Sequence, residues 1–161
     1  MDDEKTWMIS KLDGYKNSII KREKSLIKEL ARYQEKSNPD MDLGKFKDIR
    51  YDIYNNPHET YLIAQIKITS LLPSVLDRHI FCIKKGTNLD LVLKSLELEI
   101  YKIKKKVYVN IKEWENLLNH LSDYRILEIE NNPKGPGDLL IKDLLWIREY
   151  ENKQKNLMDD K

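Results

Sequence analysis

The sequence predicts a mainly α-helical protein, a helical bundle with a long N-terminal helix and a small C-terminal β-containing appendage. Two observations predict the helices: glycine and proline each occur only five times in 161 residues, and apolar residues recur every three or four positions. A third observation predicts the appendage. The alternating segment YRILEIE at 124–130 precedes the turn-forming NNPKGPGD at 131–138, a pattern typical of a hairpin or a winged-helix-like module.

Composition indicates one ordinary globular unit. Hydrophobic residues make up 40% of the chain and charged residues 35%, as in a folded protein with a highly charged surface. The predicted division is an α-helical domain over 1–106, a small α+β module over 107–152 and a frayed tail over 153–161.

The first predicted helix runs from about Lys5 to Lys36 and ends at SNPD, 37–40. A shorter helix follows. The apolar stripe of the first helix is Met8, Leu12, Tyr15, Ile19, Leu26, Leu30 and Tyr33, and that of the second is Leu43, Phe46, Ile49 and Ile53.

The central helices have recognisable ends. Asn56 as cap and Pro57 in the first turn predict a helix start. Pro73 predicts a kink or two abutting helices, and Gly86 predicts the end of the helix. Thr87 is the predicted cap of the next helix, whose stripe is Leu89, Leu93, Leu96, Ile100 and Ile103.

The last third of the sequence contains patterns typical of strands beside patterns typical of helices. VYV at 107–109 reads as a short strand, and Asn110 with Glu113 predicts the start of a helix that buries Trp114, Leu117, Leu118 and Leu121. Residues 124–130 read as a strand and 131–138 as a turn or wing. LLIKDLLWI at 139–147 fits either a returning strand or a helix.

Arg78, His79 and Cys82 lie within five residues and raise the question of a catalytic or metal-binding cluster. A single cysteine excludes an intramolecular disulfide and any cysteine-pair zinc motif, and His58 and His120 are isolated. We therefore expect no metal, with Cys82 a buried small hydrophobe and His79 on the helix surface.

Other signatures of enzymes are missing from the sequence. There is no P-loop, no dinucleotide-binding fingerprint and no helical pair of histidines with an intervening glutamate. The expectation is a non-catalytic protein without a cofactor.

Charge is unevenly distributed. Residues 57–106 hold nine Lys and Arg against five Asp and Glu, whereas 107–161 hold eight against eleven. The cluster Lys102, Lys104, Lys105 and Lys106 is the candidate nucleic-acid contact. Four phosphate contacts of this kind predict weak, non-specific binding with a slope of log affinity against log salt of about −3 to −4.

Apolar residues off the principal stripes predict a surface for another protein chain. The candidate subunit-interface residues are Ile9, Ile63, Leu91 and Leu98. A helical surface of this kind favours a structural or adaptor subunit that self-associates or is poorly soluble without its partner.

The sequence also predicts a soluble, cytoplasmic protein with no membrane partner. No apolar run approaches the roughly 18–20 residues of a membrane span, and the N-terminal MDDEKTW is acidic, unlike a signal peptide.

Residues 59–101, ETYLIAQIKITSLLPSVLDRHIFCIKKGTNLDLVLKSLELEIY, resemble the central helices of archaeal GINS subunits of the helical-domain-first type. Glu59 and Tyr61 open the helix, Arg78 stands at the family's arginine, and NLD at 88–90 starts the second helix. The resemblance implies a non-catalytic scaffold of the DNA replication helicase. It also implies a small β-containing C-terminal domain and, as partners, a sister GINS subunit, the MCM helicase and a RecJ-like protein.

Two alternatives come from other classes. Helices within 88–122 followed by 124–141 fit a winged-helix nucleic-acid-binding or transcription-associated protein, with 131–137 as the wing. The acidic Glu113 and Glu115 on its recognition helix argue against docking in the major groove. A small helical subunit of a CRISPR-type ribonucleoprotein would instead use the basic middle of the chain.

Overall fold

The computed structural model describes residues 3–37, 57–108 and 114–159, and these residues are almost entirely helical. The helices are α1 (Asp3–Ser37), α2 (Pro57–Lys84), α3 (Leu89–Tyr108), α4 (Trp114–Asn119), α5 (Asp123–Asn131) and α6 (Pro136–Asp159). No strand occurs in these three ranges.

The predicted β-containing appendage is therefore wrong. The segment predicted as a strand at 124–130 lies in α5, 139–147 lies in α6, and Val107 and Tyr108 end α3. Ser122 caps α5 by accepting the backbone N–H of Arg125 at 3.2 Å. Ile126 and Ile129, three residues apart, both turn towards the core, and this helical spacing outweighs the weak β-propensity of a short alternating segment.

The segment predicted as a turn or wing, 131–138, contains the last residue of α5, the turn that follows it and the first residues of α6. Asp138, in the first turn of α6, accepts the backbone N–H of Lys134 at 3.0 Å and the guanidinium of Arg125 at 2.7 Å. Pro136 occupies the first helical position, where its missing N–H costs nothing. The same carboxylate thus fixes the turn and ties α5 to α6.

Helix α2 is the centre of the molecule. Side-chain pairs from Lys16 to Asp77 and from Gln34 to Glu59 show that α1 runs antiparallel to it. Helices α3 and α6 pack on α2 as well. Its most deeply buried apolar residues are Leu62, Ile63, Ala64, Leu76 and Ile83.

The α2–α3 turn confirms Gly86 as the helix stop. Gly86 has φ +96°, a left-handed conformation that glycine adopts without strain. The predicted cap Thr87 is wrong, because Asn88 does the capping: its Oδ1 accepts the backbone N–H groups of Asp90 at 2.9 Å and Leu91 at 3.3 Å. Pro73 lies inside the continuous α2, which excludes two abutting helices; the alternative, a kink at Pro73, stays a prediction.

The α1 stripe is confirmed at Leu12, Ile19, Leu26 and Leu30, which are buried. Tyr15, predicted in the same stripe, is exposed. The predicted helix with Leu43, Phe46, Ile49 and Ile53 lies outside the described residues, as do the predicted caps Asn56 and Asn110. The proposed domain division stays a prediction; α3 continues past 106, and α6 extends through 153 to Asp159.

Candidate functional site

A solvent-open groove of about 460 Å³ lies between the C-terminal half of α2 and the N-terminal half of α3. We call it the α2/α3 groove. It contains all three residues of the cluster that the sequence singled out, and its walls are mainly apolar. The lining residues are Asp77, Arg78, His79, Phe81, Cys82, Ser95 and Glu99.

His79 is buried, with 5% of its surface exposed, so its predicted place on the helix surface is wrong. Its Nδ1 lies 2.7 Å from the carbonyl oxygen of Val75. Because a carbonyl only accepts, Nδ1 carries a proton and donates it. In the neutral ring Nε2 then accepts from the Ser95 hydroxyl at 3.1 Å. The imidazole therefore joins α2 to α3.

The other two residues of the cluster lie nearer the solvent. Cys82 is half-buried and packs against the core, so its prediction as a buried small hydrophobe is confirmed only in part. Arg78 donates both terminal nitrogens to Glu99, at 3.3 and 3.2 Å. Glu99 also lies 3.8 Å from Nδ1 of His79. The ion pair of Arg78 and Glu99 is thus a second contact between α2 and α3, bidentate and exposed.

The Ser95–His79 pair has the spacing of a nucleophile and a base, and Glu99 lies near the imidazole, but the position of Ser95 in a helix provides no backbone oxyanion hole. Ser95 is in the middle of α3, where backbone N–H groups are used within the helix and offer no oxyanion hole. Arg78, the cation that lines the same groove, is bound to Glu99. What the geometry shows is a hydrogen bond that holds α2 and α3 together.

Metal binding has no support in the part of the chain that the structure describes. No group of three or more His, Cys, Asp or Glu side chains there is placed to hold an ion.

His79→Ala is expected to lower the free energy of unfolding by about 2 kcal/mol. The substitution leaves a cavity, and it removes one hydrogen bond within α2, to Val75, and one between α2 and α3, to Ser95. Cys82→Ala, at the half-buried neighbour, is expected to cost about 1 kcal/mol or less. Urea titration followed by circular dichroism measures both. Equal losses in the two variants would contradict the buried position of His79.

A second polar cluster, centred on Asp143, attaches α6 to α2 and α3. Asp143 accepts Nε2 of Gln65 at 2.6 Å, the hydroxyl of Tyr108 at 2.7 Å and Nζ of Lys104 at 3.2 Å. These donors come from α2 and α3. The sequence analysis missed this cluster, because no local pattern links residues 35 to 78 positions apart.

The hydroxyl of Tyr108 makes the stability contributed by this cluster depend on pH. Burial and the neighbouring Asp143 carboxylate raise the pKa of Tyr108 well above its ordinary value of 10.0. The folded protein therefore holds this proton more tightly than the unfolded chain. Its contribution to stability is complete below about pH 10 and is lost as the pH rises further.

The free energy of unfolding is accordingly expected to fall more steeply above about pH 10 in the wild type than in Tyr108→Phe, which has no proton to lose. Denaturant titrations between about pH 9 and pH 11 measure the difference. Parallel pH profiles for the two proteins would contradict the buried, carboxylate-bound position of Tyr108.

The candidate nucleic-acid lysines divide into two pairs. Lys104 is bound to Asp143, and Lys105 lies 3.2 Å from Glu151 and over the ring of Trp114. Lys102 and Lys106 are exposed. The four side chains therefore do not form one free basic cluster.

Any phosphate contact of this cluster is expected to involve Lys102 and Lys106, with a salt slope of about −2 instead of −3 to −4. Fluorescence anisotropy with labelled single- and double-stranded DNA at increasing salt measures the slope. Lys102→Ala/Lys106→Ala should abolish the salt-dependent binding. Persistence of binding in that variant would contradict the assignment.

The four predicted interface residues differ in how exposed they are. Ile63 is 1% exposed and belongs to the core, and Ile9 is half-buried against it. Leu91 is 62% exposed and Leu98 is 40% exposed. Both lie on the face of α3 that carries Ser95, four residues before it and three residues after it. Leu91 and Leu98 therefore lie on α3 beside Ser95, at the α3 edge of the α2/α3 groove.

Comparison of the chain with protein-family models, curated proteins and solved structures finds no match. Among the described residues, no helix is both long enough and apolar enough to cross a membrane.

Proposed function

We propose that this protein is a non-catalytic scaffold subunit that acts by binding other proteins through its helical surface. The observation that carries the proposal is the set of large apolar side chains left exposed on α1, α2, α3, α5 and α6. These are Trp7, Tyr15, Ile20, Ile27, Leu71, Phe81, Leu91, Leu98, Tyr124, Leu127 and Leu157. Several occur in pairs on one helix face, a placement typical of protein-binding surfaces.

The polar groups support the same proposal. His79, Ser95, Arg78 and Glu99 are used to join α2 to α3, and Asp143 is used to hold α6. Clusters of this kind rigidify a helical body and keep the outward faces in fixed positions. A rigid body with apolar outward faces suits an adaptor better than an enzyme.

The particular assembly that we propose is a DNA replication helicase, with a sister GINS subunit, the MCM helicase and a RecJ-like protein as partners. Its support is the resemblance of residues 59–101, which form α2, the Gly86 turn and the first part of α3. The β-containing domain implied by that resemblance is not present in the described residues, so the support is confined to this helical hairpin. The winged-helix alternative has lost its basis, because its predicted strands are helical and its predicted wing is only the short turn between α5 and α6.

Co-purification of the tagged protein at native expression level from its own cells tests the proposal. We expect replication helicase components in near-stoichiometric amounts. Stoichiometric RNA polymerase or ribonucleoprotein components would overturn the replication assignment and keep the scaffold role. Recovery of the protein with no stoichiometric partner would overturn the scaffold role itself.

A further inference from the structure

Helix α5 presents an apolar ridge that nothing in the described structure covers. Tyr124 and Leu127, three residues apart on one face, are 76% and 56% exposed. Ile129, on the opposite face, is completely buried. Asp123 and Glu130 are exposed on the flank of the ridge. We call Tyr124, Leu127, Asp123 and Glu130 the α5 ridge: two large apolar side chains with a negative border.

The α2/α3 groove has complementary features. Phe81, 59% exposed, lines its α2 side. On α3, the exposed Leu91 and Leu98 lie one helical turn on either side of the lining residue Ser95. Lys94 and Lys102 follow these two leucines at helical spacing and are exposed. Neither forms an ion pair within the ranges that the structure describes. The carboxylates that line the groove, Asp77 and Glu99, are paired with Lys16 and Arg78. The groove therefore has a mainly apolar surface, and its unpaired border charges among the described residues are Lys94 and Lys102.

The two surfaces lie at opposite ends of α2. The N-terminus of α6, to which α5 is tied through Arg125 and Asp138, lies beside Pro57. The groove surrounds residues 77–82, which places it about 30 Å away along the helix. The ridge of one molecule therefore cannot reach the groove of the same molecule.

We propose that the α5 ridge of one copy of this chain docks in the α2/α3 groove of a second copy. Tyr124 and Leu127 pack against Phe81, Leu91 and Leu98, which follows the helix-in-groove mode of recognition. Asp123 and Glu130 then face Lys94 and Lys102. The contact joins two different surfaces, and it does not depend on the proposed role in replication.

Two double variants test the contact. Each replaces two exposed apolar side chains of one surface by glutamate and leaves the other surface unchanged. Tyr124→Glu/Leu127→Glu removes the ridge and keeps the groove, whereas Leu91→Glu/Leu98→Glu removes the groove edge and keeps the ridge. Leu71→Glu/Leu157→Glu is the matched control, since both leucines are exposed and lie outside the two surfaces. Circular dichroism establishes that all three variants keep the helical content of the wild type.

Sedimentation equilibrium from low micromolar to several hundred micromolar protein measures the association. We expect the wild type and the control to self-associate. Each test variant alone should lose about tenfold or more in association constant. An equimolar mixture of the two test variants should form a 1:1 complex, because one contributes an intact ridge and the other an intact groove.

Three results would overturn the proposal. The first is a wild type that stays monomeric at the highest concentration. The second is self-association that neither test variant weakens beyond the control. The third is failure of the mixture to associate although both variants alone are impaired, because this would indicate contact between identical surfaces.

Discussion

Asp143→Ala is expected to lower the free energy of unfolding by about 3 kcal/mol. The substitution removes the acceptor of three hydrogen bonds at once. It leaves the buried hydroxyl of Tyr108, the amide of Gln65 and the ammonium of Lys104 without that partner. Because these donors come from α2 and α3, the variant should also loosen the packing of α6 on the body.

Asp77→Ala is the matched control for this prediction. Asp77 also accepts a lysine ammonium, from Lys16 at 2.9 Å, but its side chain is largely exposed. Solvent and salt screen such a pair, so its removal should cost much less. Chemical denaturation of both variants in the same buffer gives the comparison. Equal losses would contradict the structural importance of the Asp143 cluster.

Leu144→Ala is expected to cost about 3–4 kcal/mol. Leu144 is completely buried, as are Leu140 and Ile147 on the same face of α6. Truncation at this position leaves a cavity between α6 and the rest of the core. Leu157→Ala, on the exposed end of the same helix, should change stability by less than about 0.5 kcal/mol.

The outcome also tests the helical structure of the C-terminal third. Deep burial at positions 140, 144 and 147 follows the helical period of three to four residues and does not fit alternation along a strand. Denaturation of Leu144→Ala and Leu157→Ala therefore distinguishes the two structures. A loss at Leu144 as small as that at Leu157 would contradict the packing of α6.

The helical character of α1, α2 and α3 was predictable because its signals are local and redundant. Pro57 and Gly86 mark the ends of α2, and the stripe of Leu12, Ile19, Leu26 and Leu30 marks the buried face of α1. Each of these residues acts within one or two helical turns. Sequence spacing alone is then enough to assign the element.

The C-terminal third was not predictable on the same basis. YRILEIE satisfies a strand period over seven residues, and only the cap at Ser122 and the burial of Ile129 reveal the helix. The sequence left residues 139–147 open between strand and helix, and α6 resolves this in favour of helix. Short apolar segments are ambiguous because tertiary packing decides between the two periods.

The candidate site was found in part. The sequence singled out Arg78, His79 and Cys82 by their closeness along the chain. It missed Ser95 and Glu99, which reach the same groove only because the turn at Gly86 brings α3 back along α2. The sixteen-residue separation of His79 and Ser95 acquires meaning only from the antiparallel pairing of those helices.

The most direct test of the scaffold role replaces the native protein in its own cells with variants of matched abundance. One, Ser95→Ala/Cys82→Ala, removes the hydroxyl and thiol of the groove. The other, Leu91→Glu/Leu98→Glu, changes only its exposed apolar edge. Quantitative co-purification then measures the stoichiometry of every partner. We predict that the first variant retains all partners and that the second loses at least one of them. Retention of every partner by the second variant, with loss of growth in the first, would contradict a scaffold that acts through its surface.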